Sequence, residues 1–172
     1  MNTLHGIGAY IWKVTVCENG DLDAIVRVAK EAKLTHVLIK IANWNYAYNV
    51  SSNVPLLVTK LKAVNVTPLG WRYVYGSDPV GEASVAKRQV AYTGVEGYVI
   101  DAEGEYKLGR TAAAKTFMAN LKDIGVPVGL SSFRYPNVHP ELPWKEFLSG
   151  CQFVMPQVYW MGAHNPAYQL RQ

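Results

Sequence analysis

The strongest constraint on the fold is a repeat of six short apolar runs, each followed by a longer stretch with helical character, at spacings of about 25–30 residues. The runs are Ile7–Val14, His36–Ala42, Thr67–Tyr75, Gly97–Glu103, Pro127–Arg134 and Phe153–Trp160. Segments such as Val37-Leu38-Ile39 are apolar on both faces, the pattern of strands covered on both sides. Between them, Asp21-Leu22-Asp23-Ala24 opens a helix reaching Ala32, with Leu22, Ile25, Val26, Val28 and Ala29 on one face. Further helices are expected over Val54–Val64, Pro79–Thr93, Ala112–Ile124 with Gly125 as its C-cap, and Trp144–Leu148 after Pro143. Alternating strands and helices imply an α/β fold with a parallel sheet.

Two architectures satisfy that pattern. A doubly wound sheet often places a Gly-rich phosphate turn after its first strand, and Lys13–Asp21 is not one. A barrel instead carries functional residues at many strand ends. The expectation is a single domain over residues 1–172, a TIM-barrel-like (β/α) parallel barrel with six βα units visible. A complete eight-fold barrel takes about 250 residues. The chain ends within Asn165–Gln172, where a sixth helix should run, so two units are expected from further sequence or from a partner. The open edge of the sixth strand predicts self-association.

Composition narrows the function. Apolar residues make up 49% and charged residues 17%, as in a soluble globular domain. No apolar run is long enough to span a bilayer, and no membrane partner is expected. Met1–Gly6 has neither a basic start nor a long apolar region, so no signal peptide is visible; localisation stays open, with action on an extracellular or cell-wall glycan compatible. The net charge of +4 suits an anionic partner or an ordinary soluble surface, and no basic block or nucleic-acid motif is present. Cys17 and Cys151 form no C-x-x-C pair and the four His residues lack ligand spacing, so neither a metal nor another cofactor is expected. The two cysteines fall at opposite ends of the proposed barrel and should be free thiols.

The chemistry concentrates in Gly97-Tyr98-Val99-Ile100-Asp101-Ala102-Glu103-Gly104-Glu105. An apolar strand ends in acids, and alternation puts Val99, Asp101 and Glu103 on one face; Glu105 is expected to face away from them. Asp101 and Glu103 are the candidate catalytic pair, since paired carboxylates are the working parts of glycoside hydrolysis. The bland alternative has Asp101 capping a helix and Glu103 in solvated loop. Other strand ends carry flat rings and hydrogen-bonding groups suited to a sugar: Lys40 and Trp44 after the second strand, Trp71, Arg72 and Tyr73 on the third, Arg134 on the fifth, and Gln157, Tyr159 and Trp160 on the sixth. These are the candidate substrate contacts. Lys40 or Arg72 could instead pair with an acid across the mouth and merely fill the barrel top.

Ile100-Asp101-Ala102-Glu103 resembles the Asp-x-Glu of glycoside hydrolase family 25, the lysozyme-type muramidases, with weaker echoes in Gly70-Trp71-Arg72-Tyr73 and Pro156-Gln157-Val158-Tyr159. The family 18 chitinases are similar more distantly. The resemblance implies hydrolysis of an N-acetylhexosamine polysaccharide such as peptidoglycan or chitin. Glu103 would act as general acid and base, and Asp101 would stabilise a substrate acetamido group serving as internal nucleophile. Gly6–Tyr10 lacks the acid that family 25 carries on its first strand, and no last-strand acid is present. Those departures keep a second class open: a non-catalytic carbohydrate-binding or assembly module on a glycosidase-like barrel.

Overall fold

The computed structural model describes residues 4–159. Six strands form one all-parallel sheet: β1 (Gly8–Ile11), β2 (His36–Lys40), β5 (Thr67–Val74), β6 (Tyr98–Ala102), β7 (Val128–Phe133) and β8 (Phe153–Gln157), side by side in that order. The sheet is curled into a half-barrel with helices on its convex side, an α/β fold. Its curl brings the edge strands together: the Tyr10 hydroxyl on β1 lies 3.9 Å from the Met155 sulfur on β8. Trp160 and the expected sixth helix lie outside the described residues.

Strand alternation creates two apolar layers. The convex one is the larger. Ile39, Val74, Ile100 and Leu130 from the sheet pack with Ile25 of α1 (Leu22–Glu31), Leu57 and Leu61 of α2 (Val54–Ala63), Ala86 and Val90 of α3 (Pro79–Thr93), Phe117 of α4 (Thr111–Leu121) and Phe147 of α5 (Trp144–Leu148). The concave layer is a small plug of Leu38, Leu69, Trp71 and Val99, flanked by Phe153 and Met155. Above it, towards the C-terminal strand ends, the concave face turns polar. Among the described residues, no helix is long and apolar enough to cross a membrane.

The helix caps follow the chain's chemistry. Asp21 accepts from the backbone N–H groups of Asp23 and Ala24 at 2.9 and 3.1 Å. Asp78 likewise accepts from Gly81 N–H at the start of α3, which ends at a left-handed Gly94. The expected end of α4 at Gly125 is corrected: the helix stops at Leu121, and the left-handed Asp123 (φ 61°) turns the chain earlier.

All six strands of the sheet are shorter than expected, and at β1 and β2 one tertiary reason accounts for it. The Asn49 side-chain amide donates to the carbonyls of Trp12 and Lys40 at 3.0 and 2.8 Å, and its oxygen accepts from Val14 N–H at 3.0 Å. One side chain thus takes backbone groups that would otherwise prolong the ladder from β1 into β2. Beyond β2 the chain forms an unexpected hairpin, β3 (Ala42–Asn43) against β4 (Tyr46–Ala47). Cys17 and Cys151 are both free and half-buried.

Candidate functional site

Asp101 and Glu103 lie at the C-terminal end of β6, and a third side chain brings them together. Gln157, at the end of β8, donates from one amide nitrogen to Asp101 at 2.9 Å and to Glu103 at 2.8 Å. Both acceptor oxygens touch one nitrogen, so they lie within about 6 Å of each other, closer than the gap in which an inverting glycosidase lodges its water. Tyr159 donates to the Gln157 side-chain oxygen at 3.4 Å. Ser131 on β7 lies 3.5 Å from the same amide nitrogen.

The electrostatics of the site act on Asp101. Burial, then the charge of Glu103 and a hydrogen bond with it, push the Asp101 carboxyl up from 3.8 to about 7. Lys40 and Gln157 oppose that rise. A carboxyl that keeps its proton to neutral pH beside a second carboxyl is an arrangement from which a proton can be given and taken back.

Lys40 reaches the concave face but makes no carboxylate contact within ion-pair distance among the described residues. Its ammonium is caged by rings, with Nζ 3.6 Å from the Trp12 centroid, 4.8 Å from Tyr48 and 5.2 Å from Trp71. Burial lowers its pKa from 10.5 to about 8, and the negative charge of Asp101 pulls the other way.

Tyr73 also faces the mouth, and its hydroxyl donates to Glu105. Burial first, then that bond and the charges of Glu105, Glu103 and Asp101, hold the phenol well above its usual range. The expectation that Glu105 faces away is therefore corrected. Glu105 is two residues beyond Glu103, so a period of two already puts it on the side of the acids, and the 3₁₀ turn over Gly104–Lys107 after β6 leaves it over the mouth.

The structure places four other expected contacts as follows. Arg72 is adjacent to Tyr73 and so projects from the opposite face of β5; it is fully buried against α3, paired with Glu82 at 3.5 Å. Trp71 does face the cleft but is only 3% exposed, covered edge-on by Tyr10 and Trp12, with its indole N–H donating to the Ile11 carbonyl at 3.2 Å. Trp44 lies at the tip of the β3–β4 hairpin with φ 45°, its indole N–H on the Ser77 hydroxyl at 2.9 Å and its carbonyl accepting from Arg72. Arg134, just past β7, lies over the Tyr135 ring at 4.5 Å.

Tyr10 and Trp12 were absent from the expected contacts, although residues 8, 10 and 12 share one face of the first strand. A separate cleft of about 950 Å³ lies at the opposite end of the sheet, between α4 and α5. It exists because α5 has only five residues and covers little of α4. Parallel α/β folds house chemistry at the C-terminal strand ends, which places the candidate site at the acid pair. No protein-family model matches this chain, and no curated protein matches it.

Proposed function

We propose that the concave mouth is the active site of a glycoside hydrolase acting on an N-acetylhexosamine polysaccharide of the peptidoglycan or chitin kind. The observation that carries this reading is the Gln157 amide bridging Asp101 and Glu103 at 2.9 and 2.8 Å, with the Asp101 carboxyl raised to about 7. Near neutral pH the Asp101 carboxyl is close to its midpoint and hydrogen-bonded to Glu103. Its proton passes to Glu103, which gives it to the leaving glycosidic oxygen as the C–O bond breaks. The substrate's acetamido oxygen closes on the anomeric carbon, steadied by Asp101. Water then attacks the anomeric carbon as Glu103 takes its proton, the bond to the acetamido oxygen breaks, and the sugar leaves with its configuration retained.

Among the described residues the outer edges of β1 and β8 are unpaired, which supports the fuller reading of the fold as an eight-stranded barrel, completed by further strands or by a second copy. A second functional reading, a glycan-binding module without turnover, is favoured by the same Gln157 bridge, which already satisfies both acids without substrate. Reducing-end release from peptidoglycan and chitin oligosaccharides separates the two. Under the hydrolase reading Glu103→Gln lowers turnover about 10²–10⁴-fold while glycan binding persists. Binding without cleavage by the unaltered chain establishes the module instead.

A further inference from the structure

Two aromatic rings on the concave side of β1 stand half open to solvent: Tyr10 is 48% and Trp12 54% exposed. Both rest edge-on against the buried Trp71, with ring centroids 5.4 and 5.3 Å apart and planes crossing at 81° and 71°. The Trp12 indole N–H donates to the Tyr48 hydroxyl at 3.1 Å, and the Trp12 carbonyl is held by Asn49 at 3.0 Å. The ring is therefore fixed in orientation before any ligand arrives, which lowers the entropic cost of binding against it.

Its two faces are not alike. The Lys40 ammonium lies 3.6 Å from the centroid and is itself 1% exposed, so one face is occupied and dry. The solvent exposure of Trp12 belongs to the opposite face and rim. Trp12 is linked to the acids, by way of Trp71, through a continuous set of contacts. Tyr10 packs on Trp71 and has Ser131 as a hydrogen-bond partner, and Ser131 lies 3.5 Å from the Gln157 nitrogen that bridges Asp101 and Glu103.

We propose that Trp12 is the stacking platform of a sugar subsite near the Asp101–Glu103 pair, and that Lys40 behind the ring makes this subsite prefer N-acetylated sugars to cationic amino sugars. The inference rests on the glycan reading of the mouth. A pyranose presents a flat C–H face that an exposed indole can cover. The electron-rich ring would ordinarily attract a protonated amine. Here the ring's quadrupole is already engaged from behind by an ammonium. A second cation on the front face falls within the screening length of about 8 Å in physiological salt, across a ring rather than across water. Like-charge repulsion then outweighs the residual cation–ring attraction.

The test is calorimetric titration of the full chain at pH 6 with tetra-N-acetylchitotetraose and with its fully deacetylated counterpart. The acetylated ligand should bind at least about tenfold more tightly. Trp12→Ala should lose about tenfold of that affinity, and Trp12→Phe should retain most of it. Lys40→Met, nearly isosteric, should narrow the discrimination between the two ligands; Lys40→Arg, keeping the charge, should preserve it and serves if the Met variant does not fold. Equal affinity for both ligands, no binding of either, or a Trp12→Ala variant that binds like the unaltered chain overturns the proposal. Selective binding without cleavage would remove hydrolysis and leave the subsite. Cleavage with binding indifferent to Trp12 would remove the subsite and leave hydrolysis.

Discussion

Arg72 and Glu82 meet at 3.5 Å with both side chains sealed from solvent, behind the sheet rather than in the cleft. The guanidinium also donates to the Glu82 carbonyl at 2.5 Å and to the Trp44 carbonyl. The Glu82 carboxylate accepts from Gly76 N–H at 2.9 Å and Tyr75 N–H at 3.2 Å. This pair therefore ties β5, α3 and the β3–β4 hairpin into one unit beneath the rim. Burial pushes the Glu82 carboxyl up, and Arg72 leads the forces that pull it back.

Removing one partner leaves the other charge buried and unmatched. Arg72→Ala should cost about 3–5 kcal/mol in urea unfolding. The double change Arg72→Met with Glu82→Leu should cost clearly less, because neither charge is then stranded. A single variant as stable as the parent would show that water or another group satisfies Glu82.

Asp101 should make stability depend on pH with a defined sign. Its carboxyl is raised from 3.8 unfolded to about 7 folded, so the folded state binds the proton more tightly. The associated stability is fully present below about pH 4 and is lost as pH rises through about 7. Asp101→Asn removes the ionisation. It should raise the melting temperature relative to the parent at pH 8 and have little effect at pH 4. Equal differences at both pH values would show that the carboxyl is not held protonated.

Lys40 should be the lysine that titrates apart from the rest. Its expected pKa is about 8 against an ordinary 10.5, with burial the largest cause. The Cε resonances of isotope-labelled lysine report this directly. Trp12→Ala opens the cage to water, so the Lys40 midpoint should move up towards the ordinary value. An unchanged midpoint would place the desolvation elsewhere, on Trp71 or Tyr48.

Glu105 should govern the ionisation of Tyr73. Apart from burial, the hydrogen bond to Glu105 is the largest cause holding that phenol protonated. In Glu105→Gln the phenol should ionise at lower pH in a spectrophotometric titration. Under the glycan reading, the same change should raise KM more than it lowers kcat, since Tyr73 would orient substrate rather than transfer a proton. An unmoved phenol would mean that burial alone sets its pKa.

Much of the site was legible because strand geometry has a period of two. Val99, Asp101 and Glu103 share a face, as do Trp71 and Tyr73 on β5. That rule also separates Arg72 from its neighbour Tyr73, and applied to Gly8 it places Tyr10 and Trp12 in the cleft. The same rule puts Glu105, two residues beyond Glu103, on the side of the acids, where Tyr73 meets it. The short ends of β1 and β2 were not legible, because they depend on the Asn49 amide reaching Trp12 across 37 residues of chain. No local propensity encodes such a contact.

The Gln157 bridge spans 56 residues back to Asp101 and joins the last strand of the sheet to a central one. Domains are synthesised N-terminus first, and contacts between distant parts of a chain form late. Both acids are thus made, and their strand can pair with β5, before the side chain that bridges them exists. Until β8 docks, nothing on that side joins Asp101 to Glu103. The acid pair is therefore assembled only as the sheet is completed.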